Sequence, residues 1–290
     1  MQLFFSGLSN LRYPNKRKEL AAAKRSLYYL WWRFLRLSED YWWLCEFNGK
    51  SKDKAFNETY KKFGNVFVGT FEDWWAERGA DLFAYKLEPP KVEWLDKGKF
   101  YGKSEDYYKV LLIPKNLTKS EIASQVRKVL ATHKKAPLSK KIRYDISISD
   151  TRGMKRPVLE SVFDVWSLNQ VLKLAIQNGQ LDRPERFTQY WIGKQLNLMR
   201  VGEKTHFVNI ESQAKHQLAV RVKVNRYLSK AQSLIANAEY GRFPVVKKVQ
   251  QPSRWNEFQK SKIKSQLCGQ QWMSPEIDQA RFFKILGIEI

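Results

Sequence analysis

The chain has 290 residues, room for two compact domains or one large one, and 43% are hydrophobic, with 17 Phe, 13 Tyr and 11 Trp. That apolar content excludes a wholly disordered chain, and no apolar run reaches the roughly 18 residues of a transmembrane helix. Lys and Arg number 52 against 29 Asp and Glu, a formal net charge of +23, so a polyanion is the expected partner.

An anionic membrane would call for a basic amphipathic segment with an exposed apolar face. Here the basic residues are spread along the whole chain. Nucleic acid is therefore expected, with DNA ahead of RNA, and no membrane. The opening MQLFFSGLSNLRYPNKRKEL lacks the basic start and long apolar centre of a signal peptide. Cys45 and Cys268 are the only cysteines, which argues against a disulfide framework and for a reducing cytoplasm.

In chain order, RKELAAAKRSLYYLWWRFLRL (17–37) predicts one helix, free of Gly and Pro, with Leu20, Ala23, Leu27, Leu30, Phe34 and Leu37 at helical spacing. Ser38, followed by Glu39 and Asp40, predicts an N-cap for DYWWLCEF. Gly64 and Gly69 bracket a short β-like run, and Thr70 is expected to cap a helix carrying Trp74 and Trp75 and closed by Gly79. Pro89-Pro90 marks a boundary. Lys109–Pro114 is a strand candidate, Thr118 with Glu121 a capping box opening a helix to about Thr132, and IRYDISIS alternates like a strand.

From Pro157 the pattern is helical again. PVLESVFDVWSLNQVLKLAIQNG places Val162, Val165, Trp166, Leu168, Val171, Leu172 and Ala175 on one face. FTQYWIGKQLNLM (187–199) predicts a short helix capped by Thr188, in which Gly193 permits close helix contact. A long helix follows from about Ser212 to Ala238, ending at Gly241. Leu218, Val224, Tyr227, Leu228, Ala231, Leu234, Ile235 and Ala238 form its expected apolar face, with Lys215, Lys223, Arg226 and Lys230 on the other side and Arg221 nearby.

A supporting helix, a short helix and a long basic helix match a helix-turn-helix or winged-helix core. Between Lys204 and Lys264 there are 13 Lys and Arg against three acids, which concentrates the field there. The candidate DNA contacts are Thr188, Gln189 and Lys194 on the short helix, Lys215, Arg221, Lys223, Arg226 and Lys230 on the long one, and Arg242, Lys247 and Lys248 beyond it. The plainer reading of these side chains is a solvated helix face.

The segment Leu168–Pro244 resembles the C-terminal domain of a family of transcriptional-regulator-like proteins carried by bacterial plasmids and integrative conjugative elements. The likeness rests on YWIGKQL (190–196) and RVKVNRYLSKAQSLIANAEYGRFP (221–244). WWRFLRLSEDYWW (31–43) is similar to that family's aromatic W-x-FLR-x-x-x-x-Y signature, and KVLLIPKNLTKSEIASQVRKVL (109–130) to its short link. About half of the chain is covered. The region before the helix-turn-helix is longer here, and the basic C-terminal stretch has no counterpart. The resemblance implies DNA binding and control of genes on a mobile element.

Catalysis is not expected. The three histidines, His133, His206 and His216, form no H-E-x-x-H, no cysteine pair has metal spacing, and no phosphate-cradling glycine motif occurs. Asp145, Asp150, Glu160 and Asp164 are the acids that could hold Mg²⁺ in a nuclease, but in so basic a chain they read as salt-bridge partners. No cofactor is expected. The pairs Trp31-Trp32, Trp42-Trp43 and Trp74-Trp75 admit base stacking, but their spacing favours one ring in a core and its neighbour at a rim or protein interface, for a partner or for self-association.

The expected architecture is mainly α: an aromatic-rich helical domain over 1–88, a small α/β segment and basic linker over 89–156, a helix-turn-helix domain over 157–250 and a basic extension over 251–290. The expected function is DNA-binding transcription regulation. The alternative is a non-catalytic nucleic-acid-binding subunit of a larger nucleoprotein complex in defence or mobility.

Overall fold

Ser26 breaks the first helical stretch. Its hydroxyl donates to the Ala23 carbonyl at 2.6 Å and accepts from the Tyr28 amide at 3.1 Å, so residues 17–37 form α1 (Lys16–Lys24) and α2 (Leu27–Arg36) instead of one helix. A serine hydroxyl competing for backbone partners is the physical reason. The computed structural model describes residues 4–5, 16–85, 116–131, 154–181, 183–199, 210–267 and 273–288, and these are mainly helical.

Ser38 caps α3 (Glu39–Glu46), accepting from the Tyr41 amide at 2.8 Å, and Asp53 caps α4 (Lys54–Phe63). The expected β-like run between Gly64 and Gly69 is a turn, with φ of 67° and 73° at those two glycines. Thr70 and Asp73 form a capping box at the start of α5 (Phe71–Trp74). The backbone continues through a π-helical turn, Trp75–Gly79, into α6 (Ala80–Phe83). Gly79 therefore does not end the helix. A Cβ there would lie 2.7 Å from the Trp74 ring and 2.8 Å from the Trp75 ring, so glycine is what lets both indoles pack. Phe4–Phe5 (β1) pairs antiparallel with Ala84–Tyr85 (β2).

The Thr118–Glu121 capping box opens α7 (Lys119–Ala131), with the Thr118 amide 2.8 Å from the Glu121 carboxylate. The strand candidates Lys109–Pro114 and IRYDISIS lie outside the described residues. The remaining helices are α8 (Arg156–Gln177), with Pro157 in its first turn, α9 (Gln189–Gln195), α10 (Ile210–Ala238), α11 (Glu257–Leu267) and α12 (Gln279–Leu286). Among the described residues, no helix is long and apolar enough to cross a membrane.

One hydrophobic core joins these segments. It contains Trp31, Phe34 and Leu35 of α2, Val165, Leu168 and Val171 of α8, Ala231 and Leu234 of α10, and Phe282 and Leu286 of α12. Phe34 meets Phe163 edge-on at 5.7 Å, and Trp31 stacks with Phe243 at 5.9 Å. The boundary expected across 89–156 does not divide this core. Described residues of 251–290 join it as well: Glu276 holds Arg33 at 3.1 Å and Arg36 at 3.2 Å, beside the buried Ile277.

The tryptophan pairs differ from expectation. Trp31, Trp32, Trp74 and Trp75 are all buried, so in two pairs both rings lie inside. Only the third pair divides, with Trp43 buried and Trp42 half-buried. The reason is that α2 and the α5–α6 stretch are covered on more than one side, as the Trp32–Phe71 and Phe63–Trp74 contacts at 5.4 and 5.9 Å show.

Candidate nucleic-acid interface

Helix α9 is fixed at both ends by local chemistry. The Thr188 hydroxyl accepts from the Trp191 amide at 3.3 Å, and Asn197 turns the chain out at φ 47°. Between them, Gly193 seats α9 directly on α10: a Cβ on Gly193 would fall 2.2 Å from Val220 Cγ1 and 3.1 Å from Val224 Cγ2. The Tyr190 ring meets His216 edge-on at 6.4 Å. Helix α9 and the first half of α10 thus form one surface, backed by α8.

At 100° per residue, the inner face of α10 carries Val220, Val224, Ala231, Leu234 and Ala238, all buried. Its outer face carries Lys215 and Arg226, both exposed, with Lys223 and Lys230 half-buried along one edge. Arg221 is exposed on the other edge. Leu218, expected inside, is 62% exposed, and Val222 is 48% exposed, both on the outer face; Leu228 is only partly buried. The expectation for Leu218 is corrected: at 100° per residue it falls about 160° from Val220, on the side of α10 opposite the buried line.

The candidate contacts separate into three groups. Thr188, Gln189 and Lys194 are exposed on α9, beside the start of α10. Lys215 is paired with Glu211 at 2.6 Å, an exposed i,i+4 pair that costs little to open. Lys223 is committed elsewhere: its ammonium donates to the Leu198 carbonyl and fastens the chain after α9 to α10. The Lys223 and Lys230 ammonium groups each lie 5.9 Å from the Tyr227 ring. Arg242, Lys247 and Lys248 are exposed beyond the far end of α10, about 35 Å of helix away from Lys215 at 1.5 Å per residue. They are not brought together with the first two groups.

The structure also has a cleft of about 950 Å³, lined by Glu39, Asp40 and Glu239 together with Trp166, Gln232 and Lys248. Its acidic walls disfavour phosphate. Burial, and then the neighbouring Asp40 charge, push the Glu39 carboxyl above its ordinary range. Glu160 pairs with Arg156 at 2.7 Å and Asp164 with Arg281 at 3.5 Å. Asp145 and Asp150 lie outside the described residues. Among the described residues no group of three or more His, Cys, Asp or Glu is placed to hold a metal.

No protein family, curated protein or solved structure matches this chain. Basic residues not expected in the site come from α11, where Lys260, Lys262 and Lys264 alternate after Phe258 and Gln259 bonds to the Lys50 carbonyl of the neighbouring loop. The K-x-K-x-K spacing beside an aromatic residue was the available signal.

Proposed function

We propose that the chain is a binding protein for duplex DNA, acting in transcriptional control, and that it engages DNA through the outer surface of α9 and of α10 from Lys215 to Arg226. One observation carries the reading. The inner face of α10 is locked by Val220, Val224 and Leu234, which leaves Lys215 and Arg226 presented outward on a rigid helix in a chain of net charge +23. A helix so mounted fits a major groove, where arginine reads guanine edges and lysine neutralises phosphate. The resemblance of 168–244 to regulators of mobile elements supports the role in transcription. One feature departs from a simple helix-turn-helix, whose turn is about three or four residues: residues 196–209 separate α9 from α10.

Electrophoretic shift and anisotropy titrations with random-sequence duplex test this. Affinity is expected to fall on the order of a thousandfold between roughly 50 and 200 mM salt if six or more phosphates are neutralised. Replacing Lys215 and Arg226 by Ala is expected to weaken binding by about 1–3 kcal/mol with little change in stability, because both are exposed. A flat salt response, or a double variant that binds as the parent does, overturns the proposal.

The exposed Leu218 and Val222 on that same face favour a second reading. In it the chain is a non-catalytic subunit of a nucleoprotein complex, gripping the backbone while a protein partner covers these two side chains. Selection from a random DNA pool separates the two: a regulator enriches a site, whereas the subunit does not.

A further inference from the structure

Helix α11 is held against the loop 48–53 by bonds from both sides. The buried Gln259 donates to the Lys50 carbonyl at 2.8 Å, and the Lys52 amide donates to the Arg254 carbonyl at 2.8 Å. Asn256 and Gln259 cap the start of α11 reciprocally, at 2.8 and 3.0 Å. The loop is braced by Asn57, whose amide nitrogen reaches the Ser51 carbonyl at 2.9 Å and whose oxygen accepts from the Ser51 hydroxyl at 2.6 Å. These bonds bring two lysine groups distant in sequence onto one rigid surface.

Lys50, Lys52 and Lys264 are exposed there, with Lys260 and Lys262 half-buried. Lys262 stands 5.5 Å from the Phe47 ring. The acid described among them is Glu257, paired with Lys260 at 2.8 Å. Its carboxyl is held below the ordinary range by Lys260 first, and then by Lys52 and Lys264, which places lysines of both segments within its electrostatic reach.

Phe258 projects from this surface. It is 76% exposed, and among the residues whose burial is described it is the only aromatic side chain that stands in solvent. Lys262, four residues on, shares the Phe258 side of α11, and an exposed ring beside phosphate-binding charges offers a stacking platform, the chemistry that holds unpaired bases. A duplex hides its base faces, and phenylalanine cannot read a base edge by hydrogen bonds. An anionic membrane fits less well. Around Phe258, Gln259 is turned inward, Ile263 is half-buried and Ser261, Lys264 and Ser265 are exposed, so one ring alone would enter the lipid.

We propose that α11 and the loop 48–53 form a second, single-stranded nucleic-acid site, in which Phe258 stacks on an unpaired base and the lysines follow its backbone. The site goes beyond the duplex reading of α9 and α10 and uses none of its residues.

The test is fluorescence anisotropy of the full chain with labelled oligo-dT of about twelve nucleotides, a length within the usual range of such sites, beside duplex of random sequence. The parent binds oligo-dT. Phe258→Ala weakens that binding about tenfold or more while Phe258→Trp retains it, and neither changes duplex affinity. The double variant Lys52→Ala/Lys264→Ala lowers the salt slope for oligo-dT. A thermal melt of Phe258→Ala matches the parent, because the ring is exposed. The proposal falls if the parent does not bind oligo-dT, if Phe258→Ala binds it unchanged, or if duplex affinity drops equally. It also falls if Phe258-dependent sedimentation with phosphatidylserine vesicles replaces oligo-dT binding. The duplex reading is tested apart from it by Lys215→Ala/Arg226→Ala.

Discussion

Glu239 and Arg254 are 3% and 4% exposed and lie 2.6 Å apart, beneath the wall of the acidic cleft. The Glu239 carboxylate also accepts from the Ser38 hydroxyl at 2.5 Å and from Gln251 at 3.1 Å. Arg254 reaches Asp40 at 2.6 Å and covers the Phe56 ring at 4.1 Å. Burial alone would pull the Arg254 guanidinium down, but the charge and hydrogen bonds of Glu239 outweigh it, and its proton is held more firmly than usual. Removing one partner strands a buried charge, so Arg254→Ala is expected to cost about 3–5 kcal/mol, read from the urea midpoint. Replacing both partners, as Glu239→Leu with Arg254→Met, is expected to cost less than that single change. Another buried group makes a chemical prediction. Burial pushes the Cys45 thiol far above its ordinary value, which suppresses the reactive thiolate. In a Cys268→Ser chain, iodoacetamide is expected to leave Cys45 unmodified until denaturant is added; rapid alkylation of the native protein would contradict that placement.

At the scale of the elements, the joint between α9 and α10 depends on one missing methyl group. With the Gly193 Cβ position 2.2 Å from Val220 Cγ1, Gly193→Ala forces the helices apart and is expected to cost about 1–3 kcal/mol by overpacking. Adding Val220→Ala should restore part of the loss in a thermal melt, and additive losses would show that the two sites are not in contact. The caps at Ser38, Thr70, Thr118 and Thr188 were legible in the sequence, because a cap is decided within four residues of chain. So was the buried face of α8, which is periodic over its length. What escaped depends on neighbours far along the chain. Ser26 resembles any serine in an Ala-rich helix until it is seen bonding backward to Ala23. Gly79 resembles a helix stop until two indoles are seen packed on it. Of the expected contact set, Arg226 stands outward as its spacing implied, but Lys223 is drawn to the Leu198 carbonyl, a partner that no periodicity reveals.

Across the whole molecule, the last forty residues complete the core that the first eighty begin. Ile277, Phe282, Phe283 and Leu286 are buried in it, and at about 1.5–3 kcal/mol for each side chain they contribute roughly 6–12 kcal/mol. That is comparable with the total stability of about 5–15 kcal/mol typical of folded proteins. A chain ending at residue 250 also leaves Glu239 without Arg254. It is expected to lose its cooperative unfolding transition and to aggregate, and a sharp calorimetric peak near that of the parent would count against one shared core.

The bonds of Arg33 to Glu276 and of Arg254 to Asp40 span 243 and 214 positions of sequence. At about 5–20 residues per second, a ribosome needs roughly 10–50 s to deliver the second partner after the first. For much of that interval Trp31 and Phe34 have been made while Phe243, which packs against both, is still untranslated. For each newly made copy, the interval before translation ends is a period of exposed aromatic surface, so the yield of native protein should depend on elongation rate and chaperone supply.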